Sequence, residues 1–233
     1  MLRHFIYILL GAGFMACSSV SEIQVGAEYI PVDNISYSAK IDSIIHPYRD
    51  SLEEEMNVVI GYAPKDFERN RPNGSLNNWA ADVVGHSMLA KLEGRPFMCL
   101  LNVGGLRNSI NKGPVTIGDI FKVMPFDNEV VAVELPIEVL TEIEEYLLNK
   151  DGEPIANALL KNREINIASM QENASSFWVV TSDYLMNGGD NMTFFSKRTK
   201  EVYLGKLMRD VMIDAVIEQD TLHWNNEQRI ILE

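Results

Sequence analysis

The chain has 233 residues, of which 46% are hydrophobic and 23% charged, a composition typical of a globular protein. Its formal net charge of −13 argues against binding of a nucleic-acid polymer, which needs a basic surface that displaces counterions. The acidic balance does not exclude a small phosphate ligand, because one local arginine can dominate at contact distance, and solubility alone also accounts for it.

The chain begins with a segment typical of a secretory signal peptide. Arg3 and His4 precede an apolar run, Phe5 to Met15, that is too short to span a bilayer. Ala16 and Cys17 then resemble a bacterial lipoprotein cleavage site, so the sequence predicts a signal peptide over residues 1–16 and lipidation of Cys17. Lipidation would anchor the protein to a membrane of the bacterial cell envelope. The alternatives are an ordinary signal peptide cut near Ala16 and a cysteine that stays free.

After the leader, the pattern predicts a tether over residues 17–36 and a single α+β domain over residues 37–233, with mixed sheets flanked by helices. Apolar spacing indicates a helix from Ser38 to Met56, which Pro47 should kink or divide. The elements that follow are a strand at 57–63, a helix at 76–92, a strand at 97–101, a helix at 116–124, a strand at 130–135, a helix at 137–149, a loop at 149–162, strands at 164–169 and 177–182, and a helix at 202–218.

Few side chains suit nucleophilic or metal chemistry. Cys99 lies in an apolar run and is expected to be an inert core thiol, since no second cysteine remains after the leader. The histidines beyond the leader are His46, His86 and His223; none has a neighbour at metal-ligand spacing, and His86 is expected in the core. A two-metal site needs a dense set of His, Asp and Asn side chains. The sequence therefore predicts no catalytic residue and no cofactor in this chain.

A turn with paired glycines follows the predicted strand at 97–101. Gly104 and Gly105 let the backbone approach a ligand closely, and Asn102 lies just before them. Arg107 ends the turn with a planar set of donors suited to phosphate or carboxylate. The alternative is a tight structural turn in which Arg107 pairs with a neighbouring acid and Asn102 caps the backbone.

Two aromatic residues in later segments can complete a binding site. The candidates from these segments are Phe126, Asn128, Tyr184, Gly188, Gly189 and Asp190. A base between the rings of Phe126 and Tyr184, with its edge on Asn128 and its ribose hydroxyls on Asp190, would form a coherent nucleoside pocket. Stacking of a base on an aromatic ring contributes about 1–3 kcal/mol. The alternative for Phe126 is the hydrophobic core, where most phenylalanines lie.

In this order and spacing, the three segments resemble the C-terminal, substrate-binding domain of the secreted 5'-nucleotidase family. The resemblance covers roughly residues 55–205 and includes Asn78 and Asp82, in the pattern of the family's opening helix. It implies that Phe126 and Tyr184 clamp the base. It also implies that four polar residues contact the substrate, namely Asn102, Arg107, Asn128 and Asp190.

Three departures from the family pattern bear on the ligand. An upstream arginine usually helps to hold the phosphate; Arg69 and Arg71 lie nearby, and Arg71 is the predicted contact, although the strict position falls on Asn70 or Pro72. Where a Ser-Gly pair is expected after the strand at 164–169, the chain has Ser169 and Met170, which alters one backbone contact to the base. Tyr184 stands where phenylalanine is common and adds a hydroxyl group.

The sequence shows no motif of the family's two-metal phosphoesterase domain. The resemblance therefore implies the nucleotide- or nucleoside-binding half of an envelope 5'-nucleotidase, with divalent metals supplied by a separate metallophosphoesterase chain and no hydrolysis by this chain alone. One alternative is a non-catalytic nucleoside-binding surface lipoprotein. Another is an interaction lipoprotein in which the pocket is vestigial.

Overall fold

The computed structural model describes residues 39–168 and 170–232. The predicted signal peptide at 1–16, Cys17 and the tether at 17–36 lie outside the described residues, as does Ser169. Residues 44–233 form one compact unit, and the described part of the other unit is limited to residues 39–43. In the described part of the chain, no helix combines the length and apolar character needed to cross a membrane.

Helices and strands are interspersed without a regular βαβ repeat, which confirms the predicted α+β class with mixed sheets. The helices are α1 (Ala39–Met56), α2 (Ser75–Ser87), α3 (Leu89–Leu92), α4 (Ile117–Val123), α5 (Leu140–Asn149), α6 (Asp183–Met186) and α7 (Met208–Gln219). The strands are β1 (Val59–Ala63), β2 (Phe97–Leu100), β3 (Gly113–Thr116), β4 (Glu129–Pro136), β5 (Ile155–Ala156), β6 (Ala158–Lys161), β7 (Glu164–Ile167), β8 (Ser176–Ser182) and β9 (Lys200–Leu207).

A five-stranded sheet with the order β5-β2-β8-β4-β9 forms the centre of the fold. Strands β2 and β8 are parallel, whereas β4 runs antiparallel to β8, with Val130 opposite Ser182. The carboxyl ends of β2 and β8 therefore lie at the same edge of the sheet as the amino end of β4. The chain segments that follow β2 and β8 and precede β4 meet at this edge, and these are the three segments that carry the predicted site residues.

Apolar side chains cover both faces of the central sheet. Along β4, Val131 and Val133 pack into a cluster that includes residues of α5, whereas Val130 and Ala132 pack into one that includes residues of α2 and α7. Burial on both faces explains why the strands carry continuous apolar runs instead of alternating with polar residues. Cys99 of β2 is a buried free thiol, as predicted, and burial raises its pKa well above the ordinary range.

Helix α1 differs from its prediction in two respects. It is continuous from Ala39 to Met56 with Pro47 inside it, so Pro47 does not divide it. The carbonyl of Ser43, which loses its backbone partner, is on an exposed residue and can be hydrated, which lowers the cost of the proline. The apolar side chains that predicted the helix are also exposed, and Tyr48 retains 76% of its accessible surface.

Three other predictions were wrong. The segment expected to be a loop at 149–162 contains β5 and β6 and buries Ile155 and Leu160. The helix expected at 202–218 begins only at Met208, because residues up to Leu207 pair with β4 as strand β9. The apolar residues at the end of β9 continue the helical spacing of α7. Spacing alone does not show that this segment pairs with β4. His86 is exposed on α2 and does not lie in the core.

Candidate functional site

One pocket at this edge of the sheet gathers the predicted residues of all three segments. Its volume is about 300 Å³, at the lower end of the range for small-molecule sites. Its eight lining residues are Asn102, Gly104, Gly105, Arg107, Phe126, Asn128, Tyr184 and Asp190. We call it the Asp190 pocket. The structure thus brings together eight of the predicted site residues, while their role in binding a ligand stays a prediction.

The first glycine turn places Asn102 against Asp190. The side-chain amide of Asn102 donates to Asp190 Oδ2 at 2.6 Å, although the two residues are far apart in sequence. Gly105 allows this arrangement, because a Cβ atom there would lie 2.7 Å from Asn102 Oδ1. The Arg107 backbone N–H donates to Val123 O at 2.8 Å. This bond fixes the main chain at the end of the turn.

The Arg107 side chain remains exposed at the pocket. Its Nη1 donates to the carbonyl of Gly104 at 3.3 Å, and its guanidinium carbon lies 6.0 Å from the centroid of the Phe126 ring. That distance is at the outer limit of a cation–π contact. The partner of Arg107 in this turn is thus a neutral carbonyl, not the neighbouring acid that the structural alternative required. Because the side chain is exposed, its remaining donors are available to an anionic ligand.

The second glycine turn joins Tyr184 to Asp190 by two hydrogen bonds. The Tyr184 hydroxyl donates to Asp190 Oδ1 at 3.0 Å and accepts from the Asp190 backbone N–H at 3.3 Å. Gly189 allows the ring to approach, because a Cβ atom there would lie 2.4 Å from the Tyr184 ring. Asp190 has a φ of 52°, a left-handed conformation that aspartate tolerates better than most residues. Gly188 and Gly189 thus shape the turn, and neither lines the pocket itself.

The third segment presents an aromatic ring to solvent. Phe126 keeps 40% of its surface exposed, so the alternative of a core phenylalanine is wrong. The main chain of this segment is held from α7: Met208 N–H donates to Asn128 O at 2.8 Å, and Arg209 Nη1 lies 3.4 Å from Phe126 O. Arg209 also pairs with Asp127 at 2.7 Å.

Arg209 was missed by sequence reasoning. Its side chain is buried beneath the Phe126 segment, and its guanidinium lies 4.2 Å from the centroid of the Phe121 ring. The sequence offered one signal for Arg209, which is its position next to the apolar stripe of a predicted helix. A charged residue at such a position usually lies on the solvent-exposed face of the helix. Arg209 supports Phe126 from behind and does not line the pocket.

Arg71 lies in a different environment from the one predicted. Its guanidinium donates to the carbonyls of Lys150 and Gly152 and pairs with Glu153 at 2.7 Å, and it is not among the lining residues. Glu153 is buried and accepts the backbone N–H of Val103 at 2.6 Å. Arg71 therefore supports the first glycine turn through Glu153. In this position its side chain does not line the pocket, where the predicted phosphate contact would lie.

Burial raises the pKa of Glu153, and the N–H of Val103 and the guanidinium of Arg71 counter only part of this effect. Tyr146 belongs to the same region: its hydroxyl donates to the main-chain carbonyl of Asp190 at 3.1 Å. Burial, followed by the charges of Glu153 and Asp190, raises the pKa of Tyr146 above its ordinary range. Buried polar groups thus hold both glycine turns from beneath.

Arg69 donates directly to the main chain of the first glycine turn, whereas Arg71 acts on that turn through Glu153. Arg69 Nη1 donates to the carbonyl of Leu106 at 2.6 Å, next to Arg107 in sequence. Arg69 is exposed. A second guanidinium therefore accompanies the turn, supplied by the upstream loop that the sequence analysis identified.

A larger cleft of about 620 Å³ lies among α2, β9 and α7, away from the glycine turns. Three of its charged side chains form ion pairs: Asp82 binds Arg229 at 2.8 Å, and Lys206 binds Asp214 at 2.5 Å. Asp82 and Asn78, the residues of the opening-helix pattern, thus contact the C-terminal segment, since Asn78 also donates to Glu227 O at 3.1 Å. We give the smaller Asp190 pocket more weight, because it combines exposed aromatic rings with uncommitted polar donors.

Within residues 39–168 and 170–232, no group of three or more His, Cys, Asp or Glu side chains is arranged to hold a metal ion. The donor set around the Asp190 pocket fits an organic ligand better than a cation, because Arg107 adds a positive charge. The location of any catalytic metal stays a prediction.

Comparison with known proteins finds one family model and several proteins to which parts of this chain are similar. Residues 59–145 match the family model described as 5'-nucleotidase, C-terminal domain. Endonuclease YhcR of Bacillus subtilis (strain 168) is 29% identical over 126 residues, which is 52% of this chain and 10% of that protein. Apyrase of Tabanus yao is 23% identical over 219 residues, covering 78% of this chain and 39% of that protein.

The fold also has a counterpart among solved structures. The crystal structure of a 5'-nucleotidase precursor from Thermus thermophilus is similar with a TM-score of 0.65 and 22% sequence identity, covering 81% of this chain and 42% of that chain. This chain therefore spans less than half the length of each of these three proteins. The family match includes the first glycine turn and the Phe126 segment, whereas the second glycine turn lies beyond residue 145.

Proposed function

We propose that this chain, which contains a 5'-nucleotidase C-terminal domain, binds the nucleoside part of a nucleotide in the Asp190 pocket. The base stacks on Phe126 and Tyr184, with its edge on Asn128, and the ribose hydroxyls donate to Asp190. The phosphate extends toward Arg107, with Arg69 at the same turn. The observation that carries this proposal is the convergence of two exposed aromatic rings, a carboxylate and an arginine on one pocket.

Chemical complementarity supports each part of this assignment. An aromatic face accepts any base, and stacking contributes about 1–3 kcal/mol. A carboxylate accepts hydroxyl donors, and the guanidinium group of arginine suits phosphate. The local positive charge of Arg107 lies at the contact distance that matters for an anion, whereas the charge of −13 is spread over the whole chain.

Hydrolysis of the nucleotide phosphate ester is the reaction to which this binding contributes, and a separate metallophosphoesterase chain supplies the divalent metals and the attacking water. The apyrase and 5'-nucleotidase names of the similar proteins support this reaction class. The side-chain arrangement of the described residues, which forms no metal-ligand cluster, is compatible with such a division of labour. In this scheme, the chain orients substrate and does not cleave it alone.

The protein acts outside the cytoplasm, in the bacterial cell envelope, as an exported lipoprotein. The basic start of the chain, its apolar run and the Ala16-Cys17 pair support this location. Lipidation at Cys17 anchors the chain to the membrane, and the tether at 17–36 separates the anchor from the binding domain.

A second candidate is a nucleoside-binding lipoprotein without a hydrolytic partner. The placement of Arg71 favours it, because the arginine expected to hold phosphate pairs instead with the buried carboxylate of Glu153. The two candidates differ in the contribution of phosphate to affinity. Tighter binding of AMP than of adenosine supports the nucleotidase role, and equal binding supports the nucleoside role.

Calorimetric titration of the purified protein with adenosine and AMP tests the binding site. We expect Phe126→Ala to weaken adenosine binding by about 5–150-fold, the equivalent of a lost stacking contact. Tyr203→Ala is the matched control, since Tyr203 on β9 is 41% exposed against 40% for Phe126 and does not line the pocket. No adenosine binding by the unsubstituted protein would contradict the proposal.

Two further measurements test phosphate recognition and hydrolysis. Arg107→Gln should remove any preference for AMP over adenosine, whereas Arg95→Gln, at an exposed arginine paired with Glu93, should leave it intact. Phosphate release from AMP with Mg²⁺ or Mn²⁺ should stay at the buffer level for this protein alone. Release at enzyme-like rates would disprove the division of labour while leaving the binding site in place.

A further inference from the structure

The hydroxyl group of Tyr184 is fully engaged with one residue. It donates to Asp190 Oδ1 at 3.0 Å and accepts from the Asp190 N–H at 3.3 Å. Asn102 Nδ2 donates to the other carboxylate oxygen, Oδ2, at 2.6 Å. The Asp190 carboxylate is therefore fixed by one protein donor on each oxygen, and it lines the pocket in that orientation.

This arrangement leaves a defined set of free acceptor positions. An ionised carboxylate has about four acceptor positions, two on each oxygen. Tyr184 and Asn102 occupy one on each oxygen, so one position remains on Oδ1 and one on Oδ2. Two adjacent acceptors match a vicinal diol, whose two hydroxyl groups are adjacent donors.

We infer that the Tyr184 hydroxyl is a specificity-determining group that aligns Asp190 to select ribonucleosides over 2'-deoxyribonucleosides. The inference rests on the proposed nucleoside site and names its sugar preference. A site built to pair with a hydroxyl rejects a ligand that lacks it, because a desolvated acceptor is left without its donor. A carboxylate free to rotate could turn toward water or another donor and would tolerate the missing hydroxyl.

The neighbouring contacts support this role for the hydroxyl. Gly189 lets the Tyr184 ring lie against the turn, since a Cβ atom there would be 2.4 Å from the ring. The Asp190 main chain is fixed separately, because Tyr146 OH donates to its carbonyl at 3.1 Å. Removal of the Tyr184 hydroxyl therefore leaves Oδ1 and the backbone N–H of Asp190 without their protein partner, while Asn102 still holds Oδ2 and Tyr146 still holds the backbone carbonyl.

The test compares adenosine with 2'-deoxyadenosine by calorimetric titration of the purified protein and of Tyr184→Phe. We expect the unsubstituted protein to prefer adenosine by about 10–100-fold, the range for a hydrogen bond to a charged group. Tyr184→Phe keeps the ring, so 2'-deoxyadenosine affinity should change less than about threefold. The adenosine preference should fall below about fivefold, since Oδ1 is no longer fixed and the carboxylate is held by Asn102 alone.

Tyr146→Phe is the matched control, because it removes a hydroxyl bound to the Asp190 carbonyl and not to the carboxylate. A general loosening of the turn lowers both affinities and leaves their ratio unchanged. Thermal melts of Tyr184→Phe and Tyr146→Phe report whether they fold. Asp190→Asn should also abolish the adenosine preference, since its amide offers one acceptor oxygen in place of two.

The outcomes separate this inference from the proposed function. Equal binding of the two nucleosides by the unsubstituted protein, or an unchanged preference in Tyr184→Phe, overturns the role of the hydroxyl while nucleoside binding stands. An equal loss of the preference in Tyr146→Phe assigns it to the position of the turn and also overturns the inference. Absence of binding to both nucleosides overturns the proposed function together with the inference.

Discussion

The two sides of the Asp190 pocket are held in place by different means. On the first side, which we call the tied side, Asn102, Tyr184 and Asp190 bind one another through their side chains. On the second, the open side, Arg107 and Phe126 are held mainly through their backbone atoms. The pocket-lining side chains thus bind one another on the tied side and make few side-chain contacts on the open side.

A pocket that is held in these two ways can combine selectivity with tolerance. Tied side chains lose little conformational freedom when a ligand binds, whereas ordering of a free side chain costs about 0.5–1.5 kcal/mol. The tied side therefore suits a group of constant geometry, such as a sugar. The open side suits groups that move between states of a reaction, such as the phosphate, and its Phe126 ring can stack on any base.

Gly189→Ala should produce the largest effect, by breaking the tied side. The new Cβ atom would lie 2.4 Å from the Tyr184 ring and displace it from Asp190. We expect adenosine affinity to fall by about 10–100-fold, as a stacking face and the alignment of Asp190 are lost together. The melting temperature should change little, because the half-exposed ring can rotate into solvent.

Gly188→Ala is the control for this prediction. Its Cβ atom would meet no atom within 4 Å, but its φ of 90° is strained for alanine. This variant should therefore lose stability and retain more of its adenosine affinity. If Gly188→Ala weakens binding as much as Gly189→Ala does, contact with the Tyr184 ring is not the cause.

Arg209→Met should produce an intermediate effect, by loosening the open side from behind. It removes the pair with Asp127 and the donors near the Met124 and Phe126 carbonyls. We expect adenosine affinity to fall about fivefold, because Phe126 becomes less ordered before binding. The free energy of unfolding should fall by about 1–3 kcal/mol, as measured by denaturant titration.

Asp127→Asn serves as the control, since Asp127 is exposed and its loss removes the ion pair alone. Solvent screens the exposed carboxylate of Asp127, and an asparagine oxygen can still accept from Arg209, so this variant should lose less than Arg209→Met in both measurements. Unchanged adenosine affinity in Arg209→Met would show that Phe126 is ordered without support from α7.

Glu153→Gln should produce the smallest effect, visible as a dependence on pH. Because burial raises the pKa of Glu153, its contribution to the free energy of unfolding is full below the ordinary pKa of glutamate. That contribution is lost as the pH rises through the raised pKa in the folded protein. The melting temperature of the unsubstituted protein should therefore gain on that of Glu153→Gln as the pH falls from the raised pKa of Glu153 toward the ordinary pKa of glutamate.

Glu144→Gln provides the comparison for this measurement, because Glu144 also accepts a backbone N–H, from Ile165 at 2.8 Å. A difference between Glu153→Gln and the unsubstituted protein that is constant with pH would count against a raised pKa. A difference in favour of the unsubstituted protein that grows as the pH rises would reverse the sign of the linkage.

The pocket lining was predictable because its residues carry local signals. Paired glycines at Gly104 and Gly188 mark turns, and their order along the chain matched a known pattern. Parallel pairing of β2 and β8 then brings both turns to one edge of the sheet. The pairing of β2 with β8 was not predictable from spacing. The resemblance to a known family nevertheless implied that the two turns meet at one site.

The supporting residues were not predictable, because their partners come from distant segments without a periodic signal. Arg71 and Glu153 are joined only in the folded chain, and Glu153 lay in a segment that was expected to be a loop. Arg209 is buried, an uncommon position for a charged side chain. Residues that line the pocket left a motif in the sequence, whereas residues that hold them in place did not.

The buried thiol of Cys99 makes the domain convenient for site-selective labelling. Maleimide reagents attack an accessible thiolate, and Cys99 is both buried and held protonated. Because Cys17 is the other cysteine of the chain, a cysteine introduced at exposed Asp127 would be the reactive thiol of the described domain. A fluorophore at that position, beside Phe126, would report occupancy of the pocket without the need to replace Cys99.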